Sequence, residues 1–174
     1  MRRPFNTRGF TLIELMFTIG LAAIIAAIGI PAFRSMIANN RLGSQTTELV
    51  AAINFARSQA ITHNTTVTLC RVNLAASTNC ATSVGEWDFF VVRDGSGVLR
   101  RGELPDYGGT IIFESDLTLD RMTFSSDGLS RTGGLVISDN EFTACSTQVS
   151  GDNIRTVTVG AGSRISMTRS AGSC

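Results

Sequence analysis

"RGFTLIELMFTIGLAAIIAAIGIP" occupies Arg8 to Pro31, and after Arg8 its only ionisable side chain is Glu14. The apolar run from Phe10 to Ile30 is 21 residues long. At about 1.5 Å per residue a helix of that length spans roughly 30 Å, the hydrocarbon thickness of a bilayer. The run lacks the polar face that an ordinary surface helix keeps toward water. Arg2, Arg3 and Arg8 precede it, and basic residues before a span stay in the cytoplasm, so everything after Pro31 is expected on the far side. The competing reading is a secretory signal cut near Ala32, within "AAIGIPA". Such signals have apolar cores of about 7–15 residues. This run is longer, and a carboxylate would be out of place in one.

"RGFTLIE" resembles the processing motif of type IV prepilins and type II secretion pseudopilins. The resemblance implies cleavage by a prepilin peptidase after Gly9, methylation of the new N-terminus at Phe10, and retention of the apolar helix. Glu14 matches the family's glutamate and Pro31 its helix-kinking proline. An ionisable residue at the centre of a membrane helix costs about 2.5–3.5 kcal/mol, and less near an end. After cleavage the amine of Phe10 would lie four positions before Glu14, on the same helix face. The carboxylate can then pair with its own or a neighbour's amine and set the axial register of a helix bundle. The simpler alternative is a carboxylate that complements the helix dipole.

The chain has 174 residues and a formal net charge of +1. Beyond the apolar run there is enough chain for one domain of ordinary size. Every basic residue is arginine, and from Phe10 onward 12 arginines face 14 acidic residues. No overall basic field draws this chain to nucleic acid. The four cysteines, Cys70, Cys80, Cys145 and Cys174, have no metal-site spacing, and His63 is the one histidine. No metal site is expected; an even count outside the cytoplasm favours disulfides. Of three possible connectivities, Cys70–Cys80 with Cys145–Cys174 is preferred. The first closes the polar loop "RVNLAASTN"; the second fastens a C-terminus that would otherwise fray.

Beyond the membrane run, Leu42, Thr46, Leu49, Ile53, Ala56 and Ala60 recur at steps of four and three, with Arg41, Glu48 and Arg57 off that stripe. One helix to Thr62 is expected, kinked at Pro31, with its second half amphipathic. After His63 the pattern turns to short β-type runs: 65–71, 87–93, 98–103, 110–114, 121–125, 134–138, 154–159 and 164–169. "DGSG" at Asp94–Gly97 is a hairpin signal. A helix followed by about eight strands makes an α+β protein, an antiparallel sheet or sandwich against the helix. The organisation expected is a leader at 1–9, a transmembrane helix at 10–30, an amphipathic helix at 31–62 and a β-rich domain at 63–174.

"ELVAAINFARSQAITHNTTVTLC" and "MTFSSDGLSRTGGLVIS" resemble the FimT/GspH family of minor pilins and minor pseudopilins. The implied fold is type IV pilin-like, and the implied function is that of a structural subunit of a pilus or secretion pseudopilus. Implied partners are other pilins or pseudopilins, the prepilin peptidase and the inner membrane, with the C-terminal domain periplasmic. Some FimT-type pilins are DNA receptors in natural transformation, which makes DNA the alternative partner, through Arg155, Arg164 and Arg169. Their Gly-Arg-x-Arg motif is not matched: Ser163 separates Gly162 from Arg164, and the next arginine is Arg169. On an alternating strand Arg164 and Arg169 face opposite sides. No G-x-S-x-G, H-E-x-x-H or P-loop lysine is present, so neither catalysis nor a cofactor is expected.

Phe10 is therefore the expected first residue of the mature protein, N-methylated and still attached to its apolar helix. Mass spectrometry of membrane-extracted protein checks this; a start near Ala32 would mean an ordinary signal peptide.

Overall fold

The computed structural model describes residues 9–174; residues 1–8, with Arg2, Arg3 and Arg8 and all of the expected leader but Gly9, lie outside the described part. One helix, α1 (Leu12–Thr62), dominates the chain and runs without interruption through Pro31. Thr11 caps it: the Thr11 hydroxyl accepts from the Glu14 amide at 3.3 Å. This is half of a capping box, Thr-x-x-Glu, with Glu14 in the positively polarised first turn. At the other end Thr65 N–H donates to the carbonyl of Ala60.

The two halves of α1 have different surroundings. From Gly9 to Arg34 every residue is exposed, although an 18-residue window in this helix reaches a mean hydropathy of 2.3. From Ala38 onward one stripe turns inward: Ala38, Leu42, Gln45, Thr46, Leu49, Ala52, Ile53, Ala56 and Ala60 are buried. Ala52, Ala56 and Ala60 have no accessible surface, and their small side chains let the sheets come close to the helix backbone.

Two antiparallel sheets receive that stripe. The strands are β1 (Val67–Val72), β2 (Phe89–Arg93), β3 (Val98–Glu103), β4 (Ile111–Ser115), β5 (Arg121–Phe124), β6 (Ser130–Thr132), β7 (Leu135–Val136), β8 (Asp139–Ser146), β9 (Ile154–Gly160) and β10 (Arg164–Ser170). The first sheet has the order β3-β2-β1-β5-β6-β7, the second β10-β9-β8-β4. α1 packs on β1, β2, β3 and β5 of the first sheet and on β8 and β9 of the second. The core they share includes Leu49, Ile53, Leu69, Trp87, Phe90, Met122, Phe124, Phe142 and Val157. Trp87 and Phe142 meet edge to face at 5.0 Å, the geometry aromatic quadrupoles prefer. The sheets are also joined through backbone, Trp87 N–H donating to the carbonyl of Phe113 at 2.8 Å.

The described strands number ten where about eight were expected. β8 and β6 were not anticipated, and the expected strand at 134–138 shrinks to Leu135–Val136. Gly133 and Gly134 take φ values of +56° and +86°, a turn that only glycine adopts cheaply, and Ile137 then leaves the strand for the core. Gly102 in β3 is needed for close approach instead: a Cβ there would lie 2.0 Å from the ring of Phe90.

The outer face of the first sheet carries a second, smaller core of Cys70, Val72 and Val91. It is covered by the loop that the Cys70–Cys80 disulfide closes. Two arginines staple that loop to the sheet, and a third holds the residue that follows it. Arg93 donates to the carbonyl of Thr78, Arg101 to those of Ala75 and Ser77, and Arg121 to that of Ala81. A buried ion pair fixes the following segment. Arg71 Nε donates to Asp120 Oδ2 at 2.9 Å, with both side chains largely buried. Asp120 also accepts from Gly85 N–H at 2.7 Å and from the Ser115 hydroxyl at 2.7 Å. The Arg71 guanidinium donates further to Asn73 Oδ1 and to the carbonyl of Ser83. Each charge has three hydrogen-bond partners, the kind of support under which burying an ion pair is tolerable.

Breaking one side of this pair should be costly. Asp120→Asn is expected to lower the unfolding free energy by about 3–5 kcal/mol, because it leaves Arg71 charged and unpaired in the interior. Urea denaturation of the detergent-solubilised chain reads this; an unchanged midpoint would contradict it.

Candidate functional site

The chemistry of the amino-terminal end follows from where the helix starts. Gly9 and Phe10 precede α1, outside any regular element, and are exposed, Phe10 at 80%. A peptide bond there offers a protease backbone that is not locked into helical hydrogen bonds. A Cβ at Gly9 would meet nothing within 4 Å, so its close neighbourhood is open. Phe10 also lies outside the helix, two residues before Leu12. In the uncleaved chain Phe10 precedes the helix; the pairing expected between the Phe10 amine and Glu14 belongs to the cleaved chain. The residue the sequence reading passed over is Thr11. The Thr-x-x-Glu pattern before an apolar run is a capping-box signal that would have found it.

On either side of Glu14, Ile13, Leu15, Met16, Phe17, Ile19, Leu21, Ile24, Ile25, Ile28 and Ile30 are each more than half exposed. Monomeric soluble proteins rarely expose apolar surface continuously around an element. The surface here fits lipid or the similar faces of neighbouring helices.

The tail arginines do not form one patch. Arg155 in β9 is 3% exposed. Its guanidinium donates to the carbonyls of Asp152 at 2.7 Å and Ile154 at 3.0 Å, and to Asn39 Oδ1 of α1. Burial, with the like charge of Arg169 adding to it, holds its pKa below the usual arginine value. Arg155 is thus a tie between β9 and the helix, which corrects its expected place among exposed phosphate-binding cations. Arg169 lies directly opposite Arg155 on β10. Arg164, at the other end of the strand, borders a cleft with Val50, Asn54 and Arg57. The five-residue separation of Arg164 and Arg169 is about 17 Å along a strand.

The remaining cysteines close the carboxyl end. Cys145 and Cys174 are disulfide-bonded, with Cα atoms 5.6 Å apart. Beside them Asn153 binds Gly172 both ways: its Nδ2 donates to the Gly172 carbonyl, and its Oδ1 accepts from the Gly172 amide, each at 2.9 Å.

A long, half-exposed apolar helix whose other half is the spine of two antiparallel sheets is a type IV pilin-like fold. Two crystal structures of the type IV minor pilin FimU from Pseudomonas aeruginosa share it, with TM-scores of 0.51 and 0.53 at 16% and 18% identity. The alignments cover 72% and 75% of this chain and 91% and 90% of FimU. Residues 45–163 match the family described as type II transport protein GspH, and the chain belongs to that family. Residues 4–30 match the prokaryotic N-terminal methylation motif. Over 30 residues the chain is 63% identical to prepilin peptidase-dependent protein D of Escherichia coli (strain K12). That match covers 17% of this chain and only a fifth, 20%, of the relative's length.

Proposed function

We propose that this chain is a minor subunit of a type IV pilus or a type II secretion pseudopilus, anchored in the inner membrane before assembly. The carrying observation is α1. Its first half is apolar and exposed all around, its second half is buried along one stripe, and the methylation motif ends where the first half ends. A prepilin peptidase cuts the exposed Gly9–Phe10 bond from the cytoplasmic side. The new amine at Phe10 is methylated, and the helix stays in the bilayer with the β-rich domain periplasmic.

Assembly then moves the apolar half from lipid into a bundle of similar helices, so little apolar surface changes its environment. Selectivity must come from the polar exception. Near the end of the span Glu14 can be hydrated or paired at modest cost; inside a bundle it requires a positive partner. The freed amine of a neighbour at one axial offset supplies it, and other offsets leave the carboxylate unpaired. Once leader removal frees the segment before Leu12, the amine is free to adopt that geometry. Pro31, in mid-helix, lacks the N–H that would bond the preceding turn, so bending between the two halves is cheapest there.

DNA reception is the weaker reading. Of the three tail arginines, Arg155 is buried and already hydrogen-bonded within the domain. Two exposed cations far apart on an edge strand neutralise too few phosphates for substantial affinity at physiological salt.

Glu14→Ala should leave membrane insertion intact, since it removes a charge from the span, and should reduce recovery in sheared filaments. Immunoblots of membrane and filament fractions measure both. Wild-type recovery in filaments would leave the carboxylate without a role in register.

A further inference from the structure

Where α1 leaves its apolar run, an open cleft of about 450 Å³ lies between the helix and the second sheet. Its helix wall is Ala32, Ser35, Met36 and Asn39; its sheet wall includes Arg155 and Arg169. The walls are tied together. Ser150 N–H donates to the Ser35 hydroxyl at 3.0 Å, and Arg155 donates to Asn39 Oδ1.

The charge in this cleft is unusual. Arg155 and Arg169 are directly opposed across β9 and β10, an arrangement that places Cβ atoms about 4.5–5.5 Å apart and is unfavourable for like charges. Among the described residues neither forms an ion pair. Asp152 lines the cleft, but its carboxylate is not within ion-pair distance of either guanidinium. The N–H groups of Arg169 have no protein acceptor among the described residues, while Arg155 is held rigid by three. Arg155, 3% exposed, interacts with the charge of Asp152 as well as that of Arg169, while Arg169 is exposed at the cleft with its donors open to an anion.

Depth selects the anion. The cleft opens at Ala32, two residues and about 3 Å past Ile30 along the helix axis, and runs outward to Asn39, nine residues and about 13.5 Å past it, so its mouth and not its whole length lies at headgroup depth. The polar headgroup layer extends roughly 5–7 Å beyond the hydrocarbon on each side. We propose that this cleft binds the phosphate of an anionic phospholipid headgroup, with Arg169 as the bidentate donor and Arg155 as the fixed second cation. The inference rests on the reading of Phe10–Ile30 as membrane-spanning. It adds a second attachment to the bilayer besides the helix, fixing how the domain stands on the membrane until the subunit is extracted.

The test is native mass spectrometry of the full chain in detergent micelles with added phosphatidylglycerol. The wild type should retain one lipid, and Arg169→Ala, a change on an exposed strand edge, should retain it about tenfold less, the loss of one charge-assisted bidentate contact. Arg34→Ala, on the helix but outside the cleft, should retain it normally. Equal retention by Arg169→Ala, or an equal loss in Arg34→Ala, would overturn the site. Inorganic phosphate is the second probe. If millimolar phosphate displaces the lipid completely, the cleft is a general anion site and the lipid assignment fails. Alkaline extraction of wild-type membranes separates this from the underlying reading: a chain released by carbonate is not membrane-spanning, whatever Arg169 does.

Discussion

One helix in this chain has to satisfy two different surroundings, and the rest of the structure depends on that. The first half of α1 presents large apolar side chains in every direction, which is stable in lipid or among similar helices but not in water. The second half presents one buried stripe and is otherwise polar. Because the two halves form a continuous helix from Leu12 to Thr62, the domain is built on the same rod that carries the apolar half. Force or position at one end is transmitted to the other through backbone hydrogen bonds, with Pro31 as the only interior position that lacks one of its own.

The alanines of the stripe set how the sheets meet the rod. Ala52, Ala56 and Ala60 bring sheet strands close, while Leu42, Leu49 and Ile53 fill the space between the two sheets. With the inner faces used in this way, the outer face of the first sheet would be open. The chain covers part of it with the Cys70–Cys80 loop, held by arginines that donate to its carbonyls, and anchors the continuation with Arg71 and Asp120. Leu119 and Asp120 both adopt positive φ, +56° and +48°. That strained turn is what delivers the Asp120 carboxylate to three donors, and the bonds it makes compensate the backbone cost.

Much of this fold is written locally. The stripe at steps of four and three identifies the buried face of α1, and the turn at Asp94–Gly97 forms as its sequence suggests. Asp94 Oδ1 accepts from the Ser96 hydroxyl and from the amides of Ser96 and Gly97, and these bonds, the hydroxyl's first, hold the Asp94 pKa below the usual carboxylate value. What local reading missed depends on distant partners. β8 opens with Asp-Asn-Glu, residues depleted in strands, yet it is a central strand because Phe142 and Ala144 alternate into a core made by α1 and β9. Arg155 reads as a surface cation because arginines usually are; its helix acceptor, Asn39, is 116 positions away. The partners in the Arg71–Asp120 pair are 49 positions apart. No periodicity signals either contact. At the amino-terminal end the capping role of Thr11 was legible and overlooked.

The claim that one helix passes from an all-round apolar environment into a domain core can be measured directly. Single spin labels at successive positions over residues 13–28 and 42–60, in the full chain reconstituted into bilayers, report accessibility to oxygen and to a water-soluble nickel complex. The account predicts oxygen access without periodicity over the first range and near-complete exclusion of nickel there. Over the second it predicts a repeat of about 3.6 residues, with minima for both reagents at Leu42, Leu49, Ile53 and Ala60. Nickel access around the whole circumference of residues 13–28, or a helical repeat of nickel access within them, would contradict it.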